Sequence, residues 1–555
     1  MTSMDTLRGD YRFQADFVVD ASWRLQSIQD MHPASPSRGC FHYAYWRDKT
    51  SEFPDARFQE SGATLGLLSL PYFDEPRQQG RLDTAAALYQ RFSAGVANLA
   101  NQQYDEGTFD EWYKGERGFA ATEFTTIAYG LATRFLGERV AASDRRLLTH
   151  VLGRAAGWLS RHGDRIKTNH HAAAAAALAL AADVTGDATF TTAAHRKVDE
   201  VLERQHAEGW FPEVGGMDLG YCSVLLDYIM IYTLVTQDER ALPAMRRLMA
   251  FMLPLLHPDG TILAEMGICL NPYVSRLGVG LLSRFDSRAA ALTARFTSNS
   301  AGLDGLRPYL ADDLRLARWS HLPLATALLA SSFQPAATGG QALAEAFPEG
   351  WTWHGAAAVG AYHRGRAHVY VSGAGGGQVR VFDGDALIGD DSGVTVRDTH
   401  VTGAGYDPQR SIERRSDSVS LVCNLGAPQF MQPGFVPRLL LRMGSTTRVG
   451  SRMTRAAVDY IRVKRRTAAN QSAAPVSSGS AAYRLTRAVS VEDGRVRVDD
   501  HVLAHSGTLA PDQVVTLGPR PADDVVVRSQ SAAVVELSKT WHVGSTAAVS
   551  GIGES

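Results

Sequence analysis

The sequence predicts a chain in two parts. A helical ring or solenoid spans residues 1–348, and an antiparallel β-domain, a sandwich, spans 349–555. Three observations predict it. Apolar residues recur at helical spacing through the first part. After Gly350, alternating segments rich in Val, Thr and Arg, punctuated by Gly, Asp and Asn, take their place. Polar loops also return at a fixed interval in the helical part. At 555 residues the chain is too long for one compact core.

The helical pattern runs over 84–101, 121–136, 145–161, 172–183 and 191–205, then 221–235 and 242–256, with shorter runs to about Phe347. Gly, Pro, Asp and His fill the loops between them. The alternating segments lie at 367–372, 377–382, 418–423, 460–464, 483–489, 494–498 and 525–527. Residues 470–479 read as a flexible loop, and 544–555 as a poorly ordered tail.

Arg117, Asn169, Tyr221 and Tyr273 follow one another at intervals of 52 residues. That interval fits two helices of about 18 residues and two loops. Such a unit returns the chain to the same end of the molecule, so the four loops are expected on one rim.

Composition narrows the function classes. The chain is 45% hydrophobic and 21% charged, with a net charge of −2 and no long like-charge run. Nothing there favours nucleic acid or a membrane surface. Cys40, Cys222, Cys269 and Cys423 are scattered, with no CxxC pair for a metal and no disulfide framework. No span of about 20 charge-free apolar residues is present, so no membrane crossing is expected. The opening residues lack a secretory pattern, which sets the expectation at cytoplasmic. There is no Walker loop and no HExxH, and the Gly373–Gly377 run lacks the following helix of a dinucleotide site. No cofactor is demanded.

Three clusters carry candidate chemistry. Thr168-Asn169-His170-His171 opens an Ala-rich helix. Thr168 or Asn169 serves there either as a helix cap with solvated histidines or, with a histidine, as a group facing an anion at the helix start. Tyr221 follows Gly215, Gly216 and Gly220, where backbone approaches closely. A Tyr in that position is otherwise a packing residue. Before it, Trp210 offers a flat face to a sugar and Glu213 an acceptor. The 109–118 loop mixes Trp112, Tyr113, Glu116 and Arg117, with Arg117 suited to a bidentate grip on carboxylate or sulfate. Tyr273 completes the rim. His354, His363, His368 and His400 and the Asp390-Asp391-Ser392-Gly393 string belong to the β-domain, without metal spacing.

Asn169-His170, the 210–221 segment and the 109–119 loop, in this order, resemble the heparinase II/III-like and alginate-lyase-like polysaccharide lyases. The resemblance implies an N-terminal incomplete (α/α) toroid followed by an antiparallel β-sandwich. It implies β-elimination at a uronic acid within an acidic polysaccharide or oligosaccharide. Asn169 and His170 would hold the carboxylate, His170 could act as base, and Tyr221 would act as acid or as both. The relatives' Gly-His-rich motif at the start of the β-domain has no clean counterpart here.

Other activities fit the same residues. A uronyl C5-epimerase removes the same proton. A glycoside hydrolase needs two carboxylates across the cleft, from Glu213 with Asp110 or Glu116. A non-catalytic glycan-binding or assembly protein would keep only the aromatic cleft.

Overall fold

In the computed structural model, the described residues are 3–164, 166–213, 216–258, 274–298, 312–331, 347–373, 377–397, 401–402, 410–415, 418–425, 435–444, 482–517 and 522–544, with a few positions between 446 and 457.

The helices that build the first part are α1 (Ser3–Ser27), α2 (Glu60–Leu68), α3 (Ala85–Gln102), α4 (Phe119–Leu136), α5 (Ala142–Leu159), α6 (Thr168–Thr185) and α7 (Ala188–Leu202). They continue with α8 (Leu219–Thr236), α9 (Leu242–Met252), α10 (Leu277–Leu282), α11 (Ser287–Ser298), α12 (Asp313–Trp319) and α13 (His321–Ala330). Single-turn helices Tyr43–Trp46 and Asp74–Gln78 lie in connections.

Six of these helices are inner. α2 packs on α4, α4 on α6, α6 on α8, α8 on α10, α10 on α13, and α13 returns to α2. The others back them from outside: α3 on α2, α5 on α4 and α6, α7 on α6, and α1 on α11 and α13. An inner helix is covered on all sides and must be apolar all round. The Ala172–Ala177 run of α6 is fully buried, and its small side chains let four neighbours approach. Gly130 on α4 sits where any β-carbon would meet Leu180 Cβ at 2.8 Å. α8 is long and apolar enough to cross a membrane, but 83% of it is buried in the ring, which makes it a core helix.

Strands β1 (Pro212–Glu213) and β2 (Gly216–Met217) form a small hairpin before α8. The second part begins with β3 (Gly350–His354), β4 (Val359–Arg364), β5 (Ala367–Ser372), β6 (Gln378–Asp383) and β7 (Ala386–Asp391), an antiparallel sheet in chain order. Then come β8 (Gly393–Val396), β9 (Val401–Thr402), β10 (Ser411–Arg414), β11 (Ser418–Leu425) and helix α14 (Phe435–Gly444). The last strands are β12 (Tyr483–Glu492), β13 (Arg495–Ala504), β14 (Val514–Leu517), β15 (Asp524–Ser531) and β16 (Val534–His542). A second sheet has the order β10-β11-β12-β13-β16-β15, and a third β14-β8-β9. The helical region is therefore followed by antiparallel sheets, as the sequence predicts. The expected segments 460–464 and 470–479, and all but the first residue of the 544–555 tail, lie outside the described residues.

Period-two alternation assigns the first sheet two partners. Tyr370, Phe382 and Ala361 join the helical core, while Val369, Val371 and Val381 meet Val489, Val498 and Trp541 of the second sheet. Between the sheets lies a buried ionic group. Arg487 donates to both Asp500 oxygens at 2.6 and 2.8 Å and to the Gly377 carbonyl at 2.7 Å. Lys539 pairs with Asp500 at 2.9 Å and with Asp391. Gly377 has φ +79°, and a β-carbon there would meet the Arg487 side chain at 2.8 Å. Arg487→Met would leave two buried carboxylates with one cation. It is expected to cost about 3–5 kcal/mol in urea unfolding, and a change under about 1 kcal/mol would show the network to be dispensable.

Candidate active site

The starts of α4, α6 and α8 fall at Phe119, Thr168 and Leu219. Arg117, Asn169 and Tyr221 thus stand at or within two residues of the starts of three successive inner helices, as the 52-residue interval predicts. Tyr273 lies outside the described residues.

Local bonding ties these starts together. Asp218 caps α8 by accepting the Tyr221 N–H at 2.9 Å, a preferred N-cap role for Asp. Glu213 of β1 bridges to Lys167, the residue before α6. The Thr168 hydroxyl donates to the Pro212 carbonyl at 2.5 Å. Asn169 donates its side-chain N–H to Glu213 at 2.7 Å and its backbone N–H at 3.3 Å. Burial pushes the Glu213 carboxyl well above its ordinary range, against the opposing pull of Lys167. Oδ1 of the buried Asn169 has no partner. That atom is an acceptor, and Nδ2 gives one of its two hydrogens to Glu213, which leaves one N–H for the expected carboxylate.

His170 packs between Phe119 and Phe124, with ring centroids 6.3 and 5.6 Å away. Its Nδ1 lies 2.5 Å from Glu123 Oε1 and its Nε2 3.4 Å from Lys167 Nζ. Tyr221 is half-buried on the first turn of α8.

Beside them lies a charged cluster that sequence reasoning missed. Arg57 pairs with Glu60 and lies 3.8 Å from Glu111, its guanidinium 4.2 Å from the Phe124 ring. Arg318 donates to Asp55 at 2.7 Å and pairs with Glu111 at 3.1 Å. His321 Nδ1 lies 3.7 Å from Glu60. Burial pushes Glu60 up to about 8 despite Arg57, and pushes His321 down to about 3. A signal existed: Glu60 is the only charged residue of α2, and Glu123 sits in the apolar run of α4.

Above this cluster opens a cleft of about 940 Å³, lined in part by Asp55, Glu111, Trp112, Tyr113, Arg117 and Arg318. Trp112 is 69% exposed, with the Arg318 guanidinium 5.4 Å from its ring. Arg117 stacks on Tyr104 at 4.0 Å and pairs with Glu106. Asn169, His170 and Tyr221 do not line this cleft. Phe124 stands between, touching His170 and lying against Arg57.

Several expected binding residues are structural instead. Glu116 accepts the backbone N–H groups of Glu111 and Trp112 at 2.9 and 2.8 Å, shaping their loop. Trp210 is buried and stacked on His206 at 4.4 Å, so its face is covered. His171 holds Glu200 at 2.6 Å and the Asp164 carbonyl at 2.5 Å, away from His170. Asp110 accepts from Tyr104, Gly115 and Arg117. The hydrolase pairings of Glu213 with Asp110 or Glu116 therefore have every carboxylate engaged internally. His354, His363 and His368 sit at the contact between the two parts: His354 on Phe251 at 4.5 Å, and His363 on the Pro254 carbonyl at 2.8 Å and on His368 at 2.9 Å. His400 lies outside the described residues. Among the described residues no three His, Cys, Asp or Glu side chains are grouped to hold a metal.

Comparison with known proteins bears on this arrangement. No family model matches the sequence, and no curated protein matches it. The structure is similar to the chondroitin AC lyase of Streptomyces coelicolor A3 in complex with chondroitin sulphate, with a TM-score of 0.53 and 10% identity over 97% of this chain and 80% of that one. The shared feature is the fold. A tyrosine point mutant of the same enzyme gives 0.45 and 11% identity over 98% of each chain.

Two expectations follow. Trp112→Ala should change stability by under about 0.5 kcal/mol, whereas Trp210→Ala should cost about 3–5 kcal/mol, read by urea unfolding. Folded Glu60 keeps a proton that the unfolded chain, titrating near 4.5, releases. Its contribution is full below about pH 4.5 and is lost as pH rises through about 8. The urea midpoint should fall over that window, and less so in Glu60→Gln.

Proposed function

We propose that this chain is a polysaccharide or oligosaccharide lyase that cleaves a uronic-acid-containing glycan by β-elimination. The observation that carries the reading is the first turns of α6 and α8. Packed side by side, these turns carry His170 and Tyr221 at the starts of neighbouring inner helices, while the cleft beside Trp112 lies on the other side of Phe124. The fold shared with a lyase bound to chondroitin sulphate supports an acidic polymer as substrate. Asn169-His170 and the 210–221 segment support the narrower heparinase II/III-like and alginate-lyase-like reading.

The chemistry has three demands. The proton at C5 of a uronate is acidic enough to remove only when the developing enolate is met by preorganised positive charge or donors. A base takes that proton, and its electron pair forms the C4–C5 double bond. The C4–O4 bond then breaks, and the departing oxygen takes a proton from an acid. His170 and Tyr221 are the proton carriers in this reading. Asn169 and Glu213 hold the two helix starts in register, and Trp112 stacks on a sugar face.

Incubation with uronate polymers and oligomers should release an unsaturated product that absorbs in the ultraviolet. Tyr221→Phe should lower kcat by about 10²–10⁴-fold with little change in KM. Full activity in Tyr221→Phe would remove Tyr221 from the reaction, and no absorbing product from any uronate glycan would remove the lyase reading.

A further inference from the structure

His170 is flanked by groups of opposite kinds. Glu123 Oε1 lies 2.5 Å from Nδ1, and Lys167 Nζ lies 3.4 Å from Nε2. The Glu123 contact lacks hydrogen-bond alignment, but a carboxylate accepts and an ammonium only donates, so the charges favour hydrogen on Nδ1 and a lone pair on Nε2. Glu123 is fully buried on α4, and Phe119 and Phe124 confine the ring. The surroundings thus favour one tautomer of the imidazole.

Lys167 differs from the other buried or half-buried lysines. Lys197 pairs with Glu200, and Lys539 with Asp391 and Asp500. Among the described residues no carboxylate lies within ion-pair distance of Lys167, although its charge acts on buried Glu213, and its Nζ bonds to the imidazole. It is half-buried at the start of an 18-residue helix, where the helix dipole also favours an anion. The second observation is the buried Oδ1 of Asn169, two residues on, which has no partner. A sugar hydroxyl would supply the donor it lacks.

We propose that Lys167 is the receptor for the substrate carboxylate and that Glu123 is the positioning residue for His170. The arriving carboxylate draws the ammonium off Nε2, while Glu123 keeps the hydrogen on Nδ1. Binding of a charged sugar therefore uncovers the accepting nitrogen. The inference rests on the uronate-lyase reading and narrows it to sugars with a free carboxylate. A methyl ester or a reduced carboxyl has no charge with which to move the lysine.

The test is nitrogen-15 NMR of histidine-labelled full-length protein, with His170 assigned from the signals lost in His170→Gln. The expected wild-type spectrum has hydrogen on Nδ1 and none on Nε2. D-glucuronate should shift the Nε2 signal, whereas glucose and the glucuronate methyl ester should not. Lys167→Met should abolish the response and raise KM for uronate oligomers by about tenfold or more. Glu123→Gln should mix the tautomers, and Glu123→Asp should restore one. Hydrogen on Nε2 in the wild type, no response to glucuronate, or an equal response in Lys167→Met would each overturn the assignment. These signals are read without turnover, so a chain that cleaves no uronate glycan would fail the lyase reading while the spectra still decide the roles of Lys167 and Glu123.

Discussion

The pairing of Arg318 with Asp55 and Glu111 is the constraint on which the helical part depends. It joins residues 263 positions apart, Arg318 on α12 and Asp55 just ahead of α2, where α12 packs on α2 beside the α13–α2 contact that completes the order of the inner helices. Removing charges from water is costly unless geometry and additional hydrogen bonds compensate. Here Arg57 and Arg318 share Glu111, and each has a further acidic side chain against it, Glu60 and Asp55. The cluster also sets what surrounds it. Arg57 holds the Phe124 ring that confines His170, and Arg318 lies over the Trp112 indole at the mouth of the cleft.

Much of the architecture was legible because its periods are local. The apolar runs at 84–101 and 221–235 match α3 and α8 to within two residues, and the segment at 367–372 coincides with β5. The interval from Arg117 to Asn169 to Tyr221 correctly places three helix starts, because each hairpin of helices has nearly the same length. The site was less legible because side-chain direction depends on tertiary contacts. Asn169, His170 and His171 are consecutive, yet they turn to Glu213, Glu123 and Glu200 on three different elements. Trp112 and Trp210 look equivalent in sequence. One is exposed on a loop and the other lies under a histidine. α1 was not read at all, since Arg8, Asp10, Arg12 and Asp16 break its apolar pattern.

The β-sheets are anchored to the ring through polar contacts as well as apolar ones. Tyr370 donates to the Leu256 carbonyl at 3.0 Å, and Glu208 receives the backbone N–H groups of Ala356 and Ala357 at 2.9 and 3.2 Å. The first of these satisfies a buried carbonyl in the segment after α9, and the others tie the turn before β4 to the loop before β1. The histidines of β3–β5 are engaged in this junction.

The closed order of the inner helices has a consequence for how the chain is made. α1 packs on α11 and α13, and α2 packs on α13. During synthesis the first helices emerge long before those partners, roughly half a minute earlier at typical elongation rates of ~5–20 residues per second. Until residues 313–330 leave the ribosome, Glu60 lacks His321, Arg57 lacks Trp319, and α1 lacks its contact with α13. The nascent ring is an open arc with two unfinished edges. Its dependence on chaperones should therefore be concentrated in that interval and end when Arg318 arrives.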